Sequence, residues 1–221
     1  MSRGWLWRAA ALTLALCAGA ASAQTVTARG AADAPVTIMV FSGFACKYCA
    51  ESRATLEQIE AEYPGKIRLI YKHFPLGEDR AAYLPHMAAQ AAAEQGKFWA
   101  MHGALFAHQA QLGERERIDA LARSLGLDMA RFAAALEGPA GRERIAADVS
   151  EARALKVQAT PTFYVDGYKF EGAQSAAVFR TMIDHVLAPR TPSSNVSNWI
   201  DQARRQPPSA IEAQLNKGKR Q

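Results

Sequence analysis

Two cysteines three positions apart, Cys46 and Cys49, are the residues of this chain whose types and spacing suggest chemistry. They lie in the stretch FSGFACKYCAES, residues 41–52, and the sequence holds only one other cysteine, Cys17. Thiols at this spacing can form half of a metal site, close a small structural disulfide, or serve as a dithiol that exchanges disulfides with other molecules. The choice depends on the compartment, on the element that holds the sulfurs, and on the groups that could join them.

The N-terminal segment predicts export. Two arginines precede an apolar run over residues 9–20, and Ala-Ser-Ala ends at position 23. A short basic start, an apolar stretch too brief to span a bilayer and an A-x-A end are typical of a cleavable secretory signal. An uncleaved anchor, a buried helix and a lipoprotein signal at Cys17 are alternatives, and the bulky Leu16 disfavours the last. We therefore expect residues 1–23 to be a signal peptide.

The other metal-binding side chains do not complete a metal site in the sequence. A structural zinc ion needs four ligands, of which the cysteine pair supplies two. Of the five histidines, only His102 and His108 approach a ligand spacing, and both fall in one helical pattern. An inert disulfide stays possible, although closing so small a loop adds little stability. We favour the working dithiol and expect neither metal nor organic cofactor, with Cu(I) binding as an alternative.

Hydrophobic periodicity predicts the elements that hold the cysteines. Residues 35–41 (PVTIMVF) form a short apolar run typical of a buried strand, and residues 66–71 (KIRLIY) alternate as a second strand does. Between them, Leu56, Ile59 and Tyr63 share one face of a helix. The cysteine pair therefore lies at a junction between strand and helix.

This junction assigns a role to each sulfur. Cys46 falls where the helix begins, so unpaired N–H groups and the positive end of the helix dipole stabilise a thiolate there. Cys49 lies about one turn further along, where it is less accessible. We therefore expect both to be catalytic, with Cys46 attacking and Cys49 resolving.

The rest of the body predicts an insertion, a hairpin and a last helix. Helical patterns fill residues 81–156, Asp166-Gly167 separates two short β-rich runs as a hairpin turn does, and residues 175–187 form a helix. The order βαβ, insertion, ββα predicts an α/β fold. We expect a mixed four-stranded sheet with helices on both faces and the inserted helices as a cap.

The basic character of the chain belongs to its C-terminal end. The formal net charge is +5, and residues 189–221 hold six basic and two acidic residues. The high isoelectric point therefore gives little support to nucleic-acid binding. We predict a basic tail over residues 189–221 and no nucleic-acid partner.

A second motif, ATPTFYVDG at residues 159–167, places Thr160-Pro161 at the start of a strand. Together with the cysteine motif it resembles the DsbA-like branch of the thioredoxin superfamily. The resemblance extends over residues 35–187 and includes FSGFACKYC, YKHFPL at residues 71–76 and AAEQGKFWAMHGALF at residues 92–106.

The resemblance implies a fold, an activity and partners. Its thioredoxin-like domain would comprise residues 24–77 and 157–188, with an inserted helical domain over residues 78–156. It implies thiol–disulfide exchange in the periplasm through a redox-active disulfide between Cys46 and Cys49. The implied partners are unfolded or reduced exported proteins and a membrane redox partner, either a quinone-linked reoxidase or a thiol reductase.

The resemblance also implies a substrate site and an oligomeric state. It implies a cis bond between Thr160 and Pro161, with the Thr160 backbone hydrogen-bonding the substrate. Isomerases of the superfamily usually have an N-terminal dimerisation domain, and residues 24–34 are too few for one. We therefore expect a monomeric oxidase, with an isomerase or reductase, a copper-handling protein or a redox-inactive binding module as alternatives.

Two features depart from the pattern of this family. Val40 stands where thioredoxin-like enzymes often carry a buried acid, and CKYC replaces the CPHC of the best-known strong oxidants. His73 matches the pattern after the second strand, and a hydrogen-bonded packing role is at least as well supported as a catalytic one. We therefore leave His73 out of the catalytic set.

Overall fold

The computed structural model describes residues 27–189. The predicted signal peptide and residues 190–221 of the predicted tail lie outside them. The elements in chain order are β1 (Ala28–Arg29), β2 (Val36–Ser42), α1 (Lys47–Glu62), β3 (Ile67–His73), α2 (Arg80–Ala93), α3 (Phe98–Ala107), a 3₁₀ helix (Gln109–Gln111), α4 (Arg115–Ser124), α5 (Met129–Glu137), α6 (Pro139–Ala154), β4 (Thr162–Val165), β5 (Tyr168–Glu171) and α7 (Ala176–Leu187).

The sheet is mixed, as predicted, but it has five strands in the order β1-β3-β2-β4-β5. Strands β2 and β3 are parallel, and every other pair is antiparallel. The expectation of four strands was wrong because it left out β1. This strand pairs only Ala28 with Ile70 and Arg29 with Leu69. A strand of two residues is too short to produce an alternating pattern that a sequence analysis could detect.

Both faces of the central strand β2 are covered. Val36, Ile38 and Val40 belong to the main core, which includes Ile59 of α1 and residues of α7. Phe41 lies in a second cluster with Ala152 and Val157 at the end of α6. A parallel strand pair buried on both faces reads as a nearly continuous apolar run, which explains the sequence of β2.

The helices α2 to α6 lie between β3 and β4 in the chain and pack on one another. Helix α2 is their centre, because every residue from Leu84 to Ala93 is buried, and half of these residues are alanines that allow close helix packing. Among the residues that the structure describes, no helix has the length and apolar composition of a membrane span.

Candidate active site

The dithiol lies at the predicted junction of strand and helix. Strand β2 ends at Ser42, and Cys46 is the N-cap of α1, with φ −85° and ψ 117°. The backbone N–H of Cys49 donates to the Cys46 Sγ at 3.3 Å. A thiolate at Cys46 would therefore receive a backbone hydrogen bond and the positive end of the helix dipole, as the sequence predicted.

The loop between β2 and α1 is held against the segment that follows β3. A Cβ atom added to Gly43 would lie 2.7 Å from the Phe74 carbonyl oxygen and 3.4 Å from the Leu76 Cγ. Glycine at this position therefore permits a close backbone approach that any larger residue would prevent.

The segment that contains Thr160 and Pro161 lies next to the cysteine motif, where β2 ends and β4 begins. The Cys46 thiol donates to the Thr160 carbonyl oxygen at 3.4 Å, although 114 positions separate the two residues. The Thr160–Pro161 bond is cis, which confirms that prediction. Antiparallel pairing of Phe41 with Thr162 accounts for the meeting, because it sets the start of β4 beside the end of β2.

The two sulfurs differ more in their surroundings than in exposure. Both cysteines are free and buried, with 7% of Cys46 and 3% of Cys49 exposed, so the expected difference in exposure is small. Burial raises the pKa of the Cys49 thiol to about 12, and the Ser42 hydroxyl acts in the opposite sense. Cys49 is therefore a thiol at neutral pH, which suits a resolving cysteine.

We expect iodoacetamide at pH 8 to label Cys46 and to leave Cys49 unmodified in the reduced, folded protein. With a pKa of about 12, about one in ten thousand Cys49 side chains would be a thiolate at that pH. Mass spectrometry of the digested protein measures the labelling. The denatured protein should take up label at both positions, and equal rates in the folded protein would contradict the asymmetry.

Gln109 joins the helices between β3 and β4 to the loop that precedes α1, and the sequence analysis missed it. Its Nε2 donates to the carbonyl oxygens of Phe44 at 2.7 Å and Cys46 at 3.0 Å. The residue lies in the 3₁₀ helix after α3, where a glutamine in a polar stretch carries no signal of such a contact. Its amide helps to fix the backbone at which α1 begins.

His73 is a buried packing residue, as one of the two interpretations held. Its ring nitrogens contact His86 Nδ1 at 2.8 Å and Gln90 Nε2 at 2.6 Å, both on α2. Its backbone N–H donates to Asp148, which is itself paired with Arg144 at 3.0 Å. This polar network connects the end of β3 to helices α2 and α6.

Exposed apolar side chains lie beside the dithiol. Tyr48, between the two cysteines, is 57% exposed, and Leu76, next to Gly43, is 49% exposed. Exposed apolar side chains grouped at one place are typical of an interaction surface. Within residues 27–189, no group of three or more His, Cys, Asp or Glu side chains is arranged to hold a metal ion.

A family model described as thioredoxin matches residues 22–185. The chain belongs to the thioredoxin family. The thioredoxin-like oxidoreductase of Silicibacter pomeroyi is 26% identical, with a TM-score of 0.63 over 73% of this chain and 91% of that one. The thiol-disulfide exchange protein alpha-DsbA2 of Wolbachia pipientis is 23% identical, with a TM-score of 0.67 over 73% of this chain and 87% of that one. The family model and these structures confirm the thioredoxin-like α/β fold and the predicted membership of the thioredoxin superfamily.

Curated relatives of this thioredoxin-family chain match it over a segment of their length. The sodium/proton antiporter NhaA 3 of Salinispora tropica is 37% identical over 167 residues, which are 73% of this chain and 25% of that protein. The antiporter NhaA of Herminiimonas arsenicoxydans is 34% identical over 161 residues, or 71% of this chain and 25% of that protein. The chain spans about a quarter of the length of these relatives.

Proposed function

We propose that the protein is a periplasmic thiol–disulfide oxidoreductase that introduces disulfides into exported proteins through Cys46 and Cys49. The observation that carries the proposal is the position of the Cys46 sulfur, at the start of α1 and 3.4 Å from the Thr160 carbonyl oxygen. The names of the solved relatives, an oxidoreductase and a thiol-disulfide exchange protein, support the same chemistry. The antiporter likeness covers only a quarter of those proteins and contributes nothing to the proposal.

The proposed reaction begins with the oxidised Cys46–Cys49 pair. A substrate thiolate attacks the Cys46 Sγ, a new disulfide forms, and the electron pair of the broken bond leaves on Cys49. A second substrate thiolate then attacks the mixed disulfide, and Cys46 leaves as a thiolate. The substrate is oxidised by two electrons and the enzyme is reduced. Cys46 is a good leaving group because the helix N-terminus stabilises its thiolate.

The surroundings of the dithiol suggest how partners are held. We propose that the Thr160 backbone and Pro161 bind the substrate chain beside Cys46, and that Tyr48 and Leu76 contact its apolar side chains. Unfolded or reduced exported proteins offer such chains. A membrane redox partner, quinone-linked or thiol-based, would then restore the starting state, and the inserted helices over residues 78–156 would form the cap domain.

Catalysed oxidation of a reduced protein tests the function. We expect the oxidised full chain to restore activity to reduced, denatured ribonuclease faster than glutathione buffer alone does. The assay follows ribonuclease activity and free thiols together. If ribonuclease regains activity no faster than in the buffer alone, while the Cys46–Cys49 disulfide stays intact, the proposed function is contradicted.

We expect the reduced protein to melt at a higher temperature than the oxidised protein, as an oxidase should. Only in the reduced form can the Cys46 sulfur become a thiolate, which would gain the helix dipole and the hydrogen bond from the Cys49 N–H. About 2–4 kcal/mol of such interactions would raise the melting temperature by roughly 4–15 °C. Calorimetry of both forms in one buffer measures the difference.

The control for this comparison is a protein without the dithiol. The double variant Cys46→Ser/Cys49→Ser should melt at the same temperature in oxidant and in reductant. An oxidised wild type that melts higher than the reduced one would assign the protein as a reductase.

A further inference from the structure

The proton that Cys49 gains and loses needs a route through the protein interior. In the proposed reaction Cys49 leaves as a thiolate and is then protonated, because burial raises the pKa of its thiol to about 12. Yet only 3% of Cys49 is exposed. The neighbouring residue of β2 that faces the same interior, Val40, has no group that can carry a proton.

A small cavity lies next to Cys49. Its volume is about 20 Å³, and its lining includes Ser42, Ser52, His102 and the side of Val40. A water molecule needs roughly 10–15 Å³ and two to four polar partners. The cavity is therefore large enough for one water molecule, and its hydroxyl, thiol and imidazole groups can bind one.

Ser42 is the hydroxyl placed to exchange a proton with Cys49. Only 4% of Ser42 is exposed, and Ser42 and Cys49 line the same cavity. Its carbonyl oxygen accepts hydrogen bonds from the Tyr71 hydroxyl at 3.0 Å and the Phe74 N–H at 3.0 Å, which hold the backbone in place. A hydroxyl can donate and accept at once, as a relay requires.

The cavity also reaches groups that touch solvent. Arg29 and Arg53 are part of its lining, and their side chains are 30% and 34% exposed. The Ser52 hydroxyl donates to the Tyr48 carbonyl at 2.8 Å, which leaves its oxygen free to accept from water. A path from solvent to the Cys49 sulfur therefore passes Arg29 and Arg53, crosses the cavity and ends at Ser42.

The ionisable groups that face Cys49 do not offer a better donor at neutral pH. They are Cys46 at the N-cap of α1, Arg53 on α1, Arg29 on β1, Tyr71 on β3 and His102 on α3. Burial lowers the pKa of His102 to about 3 and raises that of Tyr71 well above its usual range, so neither changes its charge between pH 5 and 8.

We propose that Ser42 and one water molecule in this cavity carry the proton between Cys49 and solvent, in place of an ionisable side chain. This inference rests on the proposed function. When the substrate thiolate breaks the Cys46–Cys49 bond, the Ser42 hydroxyl gives its proton to the Cys49 thiolate and takes one from the water, which takes one from solvent. Reoxidation reverses each transfer as Cys49 attacks the Cys46 mixed disulfide.

Single-turnover reduction of the oxidised full chain by dithiothreitol tests the relay without a protein substrate. We expect Ser42→Ala to slow the reaction by roughly 100-fold, the lower end of what a positioned proton donor contributes. Ser42→Thr keeps the hydroxyl and should stay within about threefold of wild type. The solvent deuterium isotope effect and the pH profile of the rate should change in the alanine variant alone, since a purely structural role would move neither.

The outcomes separate the two proposals. A wild type that dithiothreitol cannot reduce would overturn the proposed function itself. A reactive wild type with an equally fast Ser42→Ala variant and an unchanged isotope effect would overturn only the relay. If Ser42→Ala does not fold, Val40→Ile provides the second test, because its added methyl group fills the cavity. That variant should slow reduction and lose the isotope effect, and wild-type kinetics would again overturn the relay.

Discussion

Replacement of Cys46 by serine is expected to abolish catalysed disulfide exchange, whereas replacement of Cys49 by serine should trap the protein in mixed disulfides with its substrates. A serine hydroxyl is not ionised at neutral pH and forms no disulfide, so Cys46→Ser leaves only Cys49, which is 3% exposed and remains a thiol. In Cys49→Ser, Cys46 can still form a mixed disulfide. No neighbouring thiol can then release it.

Non-reducing electrophoresis with mass spectrometry of the excised bands measures the trapped species, and the ribonuclease assay measures the rate. Cys46→Ser should fall to the rate of the buffer alone. Ser124→Ala, at the exposed end of α4, changes a serine far from the dithiol in sequence and should match wild type in both assays. Mixed disulfides trapped by Cys46→Ser would reverse the roles assigned to the two sulfurs. The absence of mixed disulfides in Cys49→Ser would contradict the resolving role of Cys49.

Acidification is expected to destabilise the fold steeply from about pH 6.5 downwards. Burial lowers the pKa of His86 and of His102 to about 3, and it lowers the pKa of His73 well below its usual range. Histidines in the unfolded chain titrate near 6.5. Below that pH the unfolded state binds protons that the folded state does not, so the free energy of unfolding falls with pH.

Each such histidine contributes a slope of about 1.4 kcal/mol per pH unit once the unfolded state is protonated. The three together give about 4 kcal/mol per pH unit, which is a large part of the stability of an ordinary domain. The sign is fixed: the stability is fully present above pH 6.5 and is lost between that value and about 3.

Urea unfolding at several pH values between 5 and 7 measures this slope. Asp148 acts in the opposite sense, because burial raises the pKa of its carboxyl, so the window is kept above pH 5. His102→Leu should reduce the slope by about one third. His108→Gln, at an exposed position, should leave it unchanged, and a flat profile for wild type would contradict the prediction.

The position of the dithiol could be predicted from the sequence, because the hydrophobic pattern changes there from the period of a strand to the period of a helix. Leu56 and Ile59 define the buried face of α1, and counting back from them places Cys46 at its start. The meeting with Thr160 came from a resemblance and not from any local pattern. A pairing between residues 114 positions apart has no local signal.

The contacts that the sequence did not predict are those that depend on close tertiary approach. Gln109 reaches the Cys46 carbonyl only because the 3₁₀ helix after α3 packs against the loop before α1. Ser42 shares a cavity with Cys49 only because the end of β2 lies beside the start of α1. Strand β1 was missed for a different reason, since two residues hold no period. In the sequence alone, polar side chains such as those of Gln109 and Ser42 cannot be distinguished from ordinary surface residues.

The site is assembled from segments made at very different times during synthesis. Strands β2 and β3 with α1 are complete by His73, but Thr160 and β4 follow only after the whole cap. A chain that has folded only its first part therefore carries its dithiol without the Thr160 carbonyl beside it. Closing a gap of 114 residues costs loop entropy and belongs to the slow end of folding. The nascent chain thus presents both thiols before its active site is assembled. Under the proposed function, these thiols would be open to the same oxidation that the folded protein performs on other chains.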